Sequence, residues 1–112
     1  MMKEITVIIR SGKWGATARE LKEAGFHAMT RHRAMGRGKQ KGLRYGEEGA
    51  GVRLLPKWLL ILAVEEAQVD DAVAALIRAN RTGEIGDGKL FVSPVKETLR
   101  VRTEEIGYPA LC

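Results

Sequence analysis

Three short runs hold the residues best suited to chemistry in this chain. The first is Gly36-Arg37-Gly38-Lys39-Gln40-Lys41-Gly42, inside a stretch from Arg31 to Arg44 that has six Lys or Arg and no carboxylate. Alternating glycine lets backbone N–H groups approach an anion closely, and the interleaved cations neutralise its charge. The same composition also suits a solvated basic loop. It is not a Walker A phosphate loop, because the Gly-x-x-x-x-Gly-Lys-Ser/Thr spacing is absent. The second run is Thr82-Gly83-Glu84-Ile85-Gly86-Asp87-Gly88-Lys89. Its glycines exceed what one turn requires, although a turn alone accounts for Gly86-Asp87-Gly88. The Thr82 hydroxyl and the Lys89 ammonium suit phosphate oxygens, while Asp87 also fits a turn former that caps its own backbone. The third is Arg100-Val101-Arg102-Thr103. Read as a strand, it puts Arg100 and Arg102 on one face, as an anion site or as an exposed cationic edge.

Catalytic constellations are harder to find. His27 and His32 are the only histidines, and the single cysteine, Cys112, is the last residue. These supply neither a zinc-ligand spacing nor a nucleophile with its base. The pairs Glu47-Glu48, Glu65-Glu66 and Glu104-Glu105 are adjacent carboxylates that read as solvated faces. The formal charge of +5 favours an anionic partner, but six aromatic residues among 112 leave little for base-stacking platforms. An anion-binding module is favoured over an enzyme and over a basic nucleic-acid binder.

The elements that must position these runs follow from periodicity. Glu4–Arg10 is rich in β-branched residues and reads as a strand. Lys13 to Ala24 has Trp14, Ala18, Leu21 and Ala24 at helical spacing, with Gly25 as a stop signal. Phe26 to Met35 reads as a second strand. Gly36 to Gly51 holds six of the thirteen glycines and reads as a long loop, a length that usually serves function. Trp58–Val64 has the composition of a central strand, and it is too short an apolar run to span a bilayer. A second helix opens at Glu65-Glu66, with Val69, Val73, Leu76 and Ile77 on its apolar face. Leu90-Phe91-Val92 and Leu99–Arg102 supply further strands. The order strand, helix, strand, loop, strand, helix, strand predicts one α+β domain over residues 1–112, a ferredoxin-like βαββαβ sandwich. Its helix-free sheet face is most simply buried by oligomerisation. With one terminal thiol and no signal peptide in view, the expected compartment is the reducing cytoplasm.

Together, and in this order, the three runs resemble the nitrogen regulatory protein P-II family over nearly the whole chain. Thr82-Gly83-Glu84-Ile85-Gly86-Asp87-Gly88-Lys89-Leu90-Phe91-Val92 is close to that family's B-loop signature (here 82–89). Gly36–Gly42 resembles the entry to its T-loop (about 37–54) and Leu55-Pro56-Lys57 the exit. Arg100-Val101-Arg102-Thr103 resembles its C-terminal Arg-x-Arg-Thr segment, here within 100–112.

The resemblance implies a cytoplasmic homotrimer that binds ATP or ADP between subunits and acts on a target through the T-loop. It implies nucleotide contacts from Gly36, Gly38 and Lys39 on one subunit. Gly86, Asp87, Gly88, Lys89, Arg100 and Arg102 would hold the phosphates from the other, with Thr82 opening the B-loop. Gln40 matches the residue that reaches a magnesium ion bridging ATP and 2-oxoglutarate, and Lys41 closes the segment that these ligands would pin. Lys57 matches the lysine that pairs with the distal carboxylate of 2-oxoglutarate. Ala50 stands where uridylylated members carry tyrosine, Glu84 where many carry a base, and Glu104 where glycine follows the threonine. Met35–Gly42 with Ser93-Pro94-Val95 is most similar to the branch that regulates nitrogenase. The alternative is an ordinary member acting on an ammonium transporter or a glutamine synthetase system. Either leaves room for a paralogous subunit in the oligomer.

Overall fold

The computed structural model describes residues 1–37, 54–107 and 110. Four strands and two helices appear in the expected order: β1 (Met2–Arg10), α1 (Trp14–Glu23), β2 (Thr30–Gly36), β3 (Leu55–Glu65), α2 (Val69–Asn80) and β4 (Lys89–Pro94). Each helix is entered through a single 3-10 turn, Ser11–Lys13 before α1 and Glu66–Gln68 before α2. The sheet is antiparallel throughout, in the order β2-β3-β1-β4. This is the ferredoxin-like α+β arrangement. Among the described residues, no helix is long and apolar enough to cross a membrane.

Alternation along the central strands sorts their side chains. Ile5, Val7 and Ile9 of β1 stand opposite Leu62, Leu60 and Trp58 of β3, and this set faces the helices. Leu21 of α1 and Ala72, Ala75 and Leu76 of α2 close over them. Among the described residues, no helix covers the opposite face. It carries Thr6, Ile8 and Arg10 of β1, Lys57, Leu59 and Ile61 of β3, and Phe91 of β4, which is half exposed. A large apolar surface of this kind is what assembly would bury.

Local signals set the element ends. After α1, Gly25 adopts φ +95°, and the Phe26 N–H reaches back to the Leu21 carbonyl at 2.8 Å. That left-handed cap drops Phe26 into the core. The residues between it and Thr30 are therefore a connection, so β2 starts four residues later than the apolar pattern suggests. At the entry to α2, Glu65 and Gln68 form a reciprocal capping box, and Glu66, Asp70 and Asp71 complement the helix dipole.

Two expected faces are corrected. On α2 the buried residues are Ala72, Ala75, Leu76, Ala79 and Asn80, whereas Ile77 is 41% exposed. Small alanines let α2 approach its neighbours closely, so packing prefers them to Ile77, while Val69 is partly buried against the core as expected. Asn80 donates to the Thr17 hydroxyl (3.1 Å) and the Leu76 carbonyl (2.9 Å), and Thr17 donates to the Lys13 carbonyl (2.7 Å). This buried polar pair ties the two helices together. The second correction concerns Leu99–Arg102, which is not a strand. A single bridge, Leu99 to Ile106, closes a tight hairpin, and Glu104 at φ +62° reverses the chain inside it.

Candidate anion-binding site

The 82–89 loop folds around one carboxylate. Asp87 Oδ2 accepts from the backbone N–H groups of Thr82 (2.7 Å) and Gly83 (2.9 Å), while Oδ1 accepts from the Thr82 hydroxyl. Oδ1 also takes an N–H from Arg10, the last residue of β1, at 2.7 Å. The second guanidinium nitrogen of Arg10 donates to the Ile85 carbonyl at 2.9 Å, and the Thr82 hydroxyl accepts the Glu84 N–H at 3.2 Å. The hydrogen bonds from Thr82, by side chain and then backbone, hold the Asp87 carboxyl well below the usual range, with Arg10 and Gly83 adding to them. Asp87 is thus spent on shaping the loop.

The glycines serve that shape. Gly83, Gly86 and Gly88 all sit at positive φ, where a side chain strains the backbone. At Gly88 a Cβ would also collide with the carbonyl oxygen of Ile8 in β1. The loop therefore lies directly on the end of β1, and β4 starts beside it with Lys89 opposite Ile8. An open cavity of 180 Å³ lies on the helix side of the loop, lined by Val7, Ile9, Leu76, Asn80 and Gly88.

Arg10 connects the loop to the rest of the sheet. Its β3 partner is Lys57, whose β2 partner is Ala34. Gly36, two residues on, lies against the Lys57 side chain, since a Cβ there would come within 3.9 Å of Lys57 Cγ. Burial, followed by the nearby Arg10 charge, lowers the Lys57 pKa. One end of the sheet thus gathers Gly36, Lys57, Arg10, Thr82, Gly86, Asp87, Gly88 and Lys89. Arg10, Lys57 and Lys89 outnumber the two carboxylates of the loop, of which Asp87 is engaged by Arg10 and Glu84 is exposed. Such an end suits phosphate or carboxylate oxygens.

Gly38, Lys39, Gln40 and Lys41 lie outside the described residues, as does the loop that follows them to residue 53. Arg100 and Arg102 are described, but not as a strand pair. Arg100 donates to Glu105 at 3.2 Å, its backbone N–H bonds the Glu105 carbonyl, and Arg102 is exposed in the turn. The alternation Leu-Arg-Val-Arg imitates a strand, and the reversal at Glu104 undoes it. β4 carries the chain from Lys89, beside Ile8, to Pro94, beside Lys3. The C-terminal segment therefore departs from the end of β1 opposite the 82–89 loop. Gly36 and the 82–89 loop lie at the same end of the sheet within one chain.

Arg10 is the loop-positioning residue that sequence reasoning missed. A lone arginine ending a strand carries no motif, and its partner lies 77 residues away. The available signal was Asp87, an acid in an otherwise donor-rich loop that needs a cation. Among the described residues no cluster of three or more His, Cys, Asp or Glu could hold a metal ion. The expected magnesium contact rests on Gln40, outside those residues.

Comparison with known proteins agrees with this geometry. The model of the family described as "Nitrogen regulatory protein P-II" matches residues 2–105. A "Nitrogen fixation nifHD region glnB-like protein 2" of Methanococcus maripaludis is 40% identical, over 98% of this chain and 100% of its own length. A "Nitrogen regulatory protein P-II 2" of Methanothermobacter thermautotrophicus is 41% identical, over 98% of this chain and 97% of its own. Among solved structures, Arabidopsis thaliana PII bound to citrate superimposes with a TM-score of 0.81 at 28% identity, covering 97% of this chain and 91% of that one. With the fold, the loop and these relatives in agreement, the chain belongs to the nitrogen regulatory protein P-II family.

Proposed function

We propose that this P-II chain senses ATP or ADP together with 2-oxoglutarate, and that it regulates nitrogenase activity through the segment between Gly36 and Leu55. The observation that carries the ligand reading is the cationic sheet end, where Arg10 and Asp87 fix the 82–89 loop beside Lys89 and Lys57. The residue set suits a polyphosphate and a carboxylate, since the Gly86–Gly88 backbone, Lys89 and the half-buried Lys57 lie at this end of the sheet. Lys57 is already penalised by burial and by Arg10, so an anion beside it relieves that penalty. A relative solved with citrate supports a carboxylate ligand for this scaffold. Relatives from nitrogen-fixation gene regions support nitrogenase as the target over an ammonium transporter or glutamine synthetase.

The site is completed across a subunit boundary. Gly36, Lys57 and the 82–89 loop come from one subunit of a homotrimer, and Arg100 and Arg102 from its neighbour. The departure of the C-terminal segment from the far end of β1 supports this division. The helix-free sheet face, with Ile8, Leu59, Ile61 and Phe91, becomes the centre of the trimer. Thr82 and Asp87 keep the cradle in shape, and Lys89 meets phosphate. Lys57 meets the distal carboxylate of 2-oxoglutarate. Gln40 would help to hold a magnesium ion, which when bound would supply positive charge between nucleotide and dicarboxylate. The chain's own work is binding and switching, with no bond made or broken.

Signalling follows if the ligands prefer one arrangement of the Gly38–Lys41 segment, because only differential affinity shifts a population. Isothermal calorimetry of ATP tests this reading. Saturable binding that survives moderate salt and is lost in Lys89→Ala supports it. Binding that fades steeply with salt would instead identify a nonspecific polyanion surface.

A further inference from the structure

Both tryptophans of the chain lie together on the helix side of the sheet. Trp14 opens α1 and Trp58 belongs to β3, with ring centroids 6.4 Å apart and planes inclined by 49°. The Arg31 guanidinium lies over both rings, 4.3 Å from the Trp14 centroid and 4.2 Å from that of Trp58. Arg33, two residues along β2, lies 5.2 Å from Trp58, and Trp58 Nε1 is held by the Ser11 carbonyl at 3.1 Å. Stacking fixes a guanidinium plane and uses none of its N–H donors. Among the described residues neither Arg31 nor Arg33 makes an ion pair, and both are exposed.

A cavity of 440 Å³ opens next to this cluster, between α1 and β2. Trp14, Phe26 and Met29 supply apolar surface, and Lys22, His27 and Arg31 supply polar donors. Arg31 and Arg33 face Leu60 and Trp58 across the ladder, on the helix side, whereas Ala34 and Lys57 face the other way. The cavity shares no lining residue with the one beside the 82–89 loop.

The chemistry of the pair selects its occupant. Two oriented guanidinium forks suit carboxylates, and the apolar lining suits a hydrocarbon side chain. Positions two apart on a strand are spaced by about 7 Å along the backbone, the repeat from which both arginines rise. An extended peptide has the same repeat, so alternate acidic side chains match Arg31 and Arg33 in register. A nucleic-acid strand finds no platform, because Arg31 already stacks on both indoles. We propose that the groove between α1 and β2 docks an extended acidic segment of a partner protein, with carboxylates on Arg31 and Arg33 and an apolar side chain in the cavity. The proposal rests on the regulatory reading only in requiring a protein partner.

Because no other tryptophan is present, intrinsic fluorescence reports on this groove directly. The probe is a capped pentapeptide with aspartate at its first and third positions and phenylalanine at its fifth. It is compared with its asparagine counterpart, with free glutamate and with oligothymidylate. The expected result is a saturable fluorescence change, weakened by salt, with affinity reduced about tenfold or more in the asparagine peptide, in Arg31→Ala and in Lys22→Glu. Lys22→Glu changes an exposed helix position and keeps the test usable if Arg31→Ala fails to fold. ATP calorimetry on Lys22→Glu is unchanged in the same preparation, which separates this site from the cradle. No saturable change, equal binding of the asparagine peptide, glutamate or oligothymidylate binding as tightly, or undiminished affinity in Lys22→Glu would each overturn the proposal.

Discussion

Arg10 and Asp87 are joined by a 2.7 Å ion pair that spans 77 residues and locks the 82–89 loop onto the end of the central strand β1. The pair makes the cradle a property of the sheet, since moving the loop would require moving Arg10. Both side chains are partly exposed, so the value of the contact lies in geometry more than in Coulomb energy.

Asp87→Asn keeps the size of the side chain and removes the charge that gathers four donors. The loop amides of Thr82 and Gly83 should exchange faster with solvent, and ATP affinity should fall about tenfold. Asp87 titrates below its usual range, so its stabilising contribution is complete above about pH 4 and is lost as pH falls further. Acid unfolding of Asp87→Asn should accordingly lack that part of the limb, as followed by circular dichroism.

Gly88→Ala and Gly83→Ala should separate collision from strain. Both positions have positive φ, but a Cβ meets β1 backbone only at Gly88 and open space at Gly83. Gly83→Ala should cost about 1 kcal/mol and Gly88→Ala clearly more, roughly 2–4 kcal/mol, in denaturant melts.

Lys57→Met tests the penalised lysine. Burial and Arg10 depress its pKa, so the folded state disfavours the charged form. The penalty is complete below the depressed value and fades as pH rises towards 10.5. Lys57→Met without ligand should therefore melt slightly higher than the wild type at neutral pH, with the gap closing in alkali. The same variant should weaken 2-oxoglutarate far more than ATP.

Subunit sharing predicts complementation. In the proposed trimer, Lys89→Ala and Arg102→Ala subunits, each assembled alone, should bind ATP poorly. Random mixing should restore roughly a quarter of the interfaces, those that pair an intact Lys89 with a neighbour's intact Arg102. Calorimetric stoichiometry before and after mixing reads this directly, and no recovery would place both residues in one subunit's site.

Much of this architecture is legible in the residues because the local rules agree with the packing. Ile5, Val7 and Ile9 alternate with Thr6 and Ile8 as a strand should, and Gly25 ends α1 where its cap is needed. The 82–89 loop announces itself through its glycines. Legibility fails where a contact depends on distant partners. Arg10 becomes significant only once Asp87 folds onto it, and Arg31 only once α1 and β3 bring two indoles together. It also fails where one residue overrules a pattern, as Glu104 does for Leu99–Arg102. On α2 Leu76 and Val69 face the core as expected, but close helix packing put Ala72, Ala75 and Ala79 there in place of Ile77.

Calorimetry of 2-oxoglutarate, with and without magnesium-ATP, tests the central claim that nucleotide and dicarboxylate share one cradle. Binding energies are reciprocal, so magnesium-ATP must tighten 2-oxoglutarate by the factor by which 2-oxoglutarate tightens ATP. The account predicts 2-oxoglutarate binding that appears only with magnesium-ATP and is lost in Gln40→Ala. Equal 2-oxoglutarate affinity with and without nucleotide, or unchanged affinity in Gln40→Ala, would contradict it.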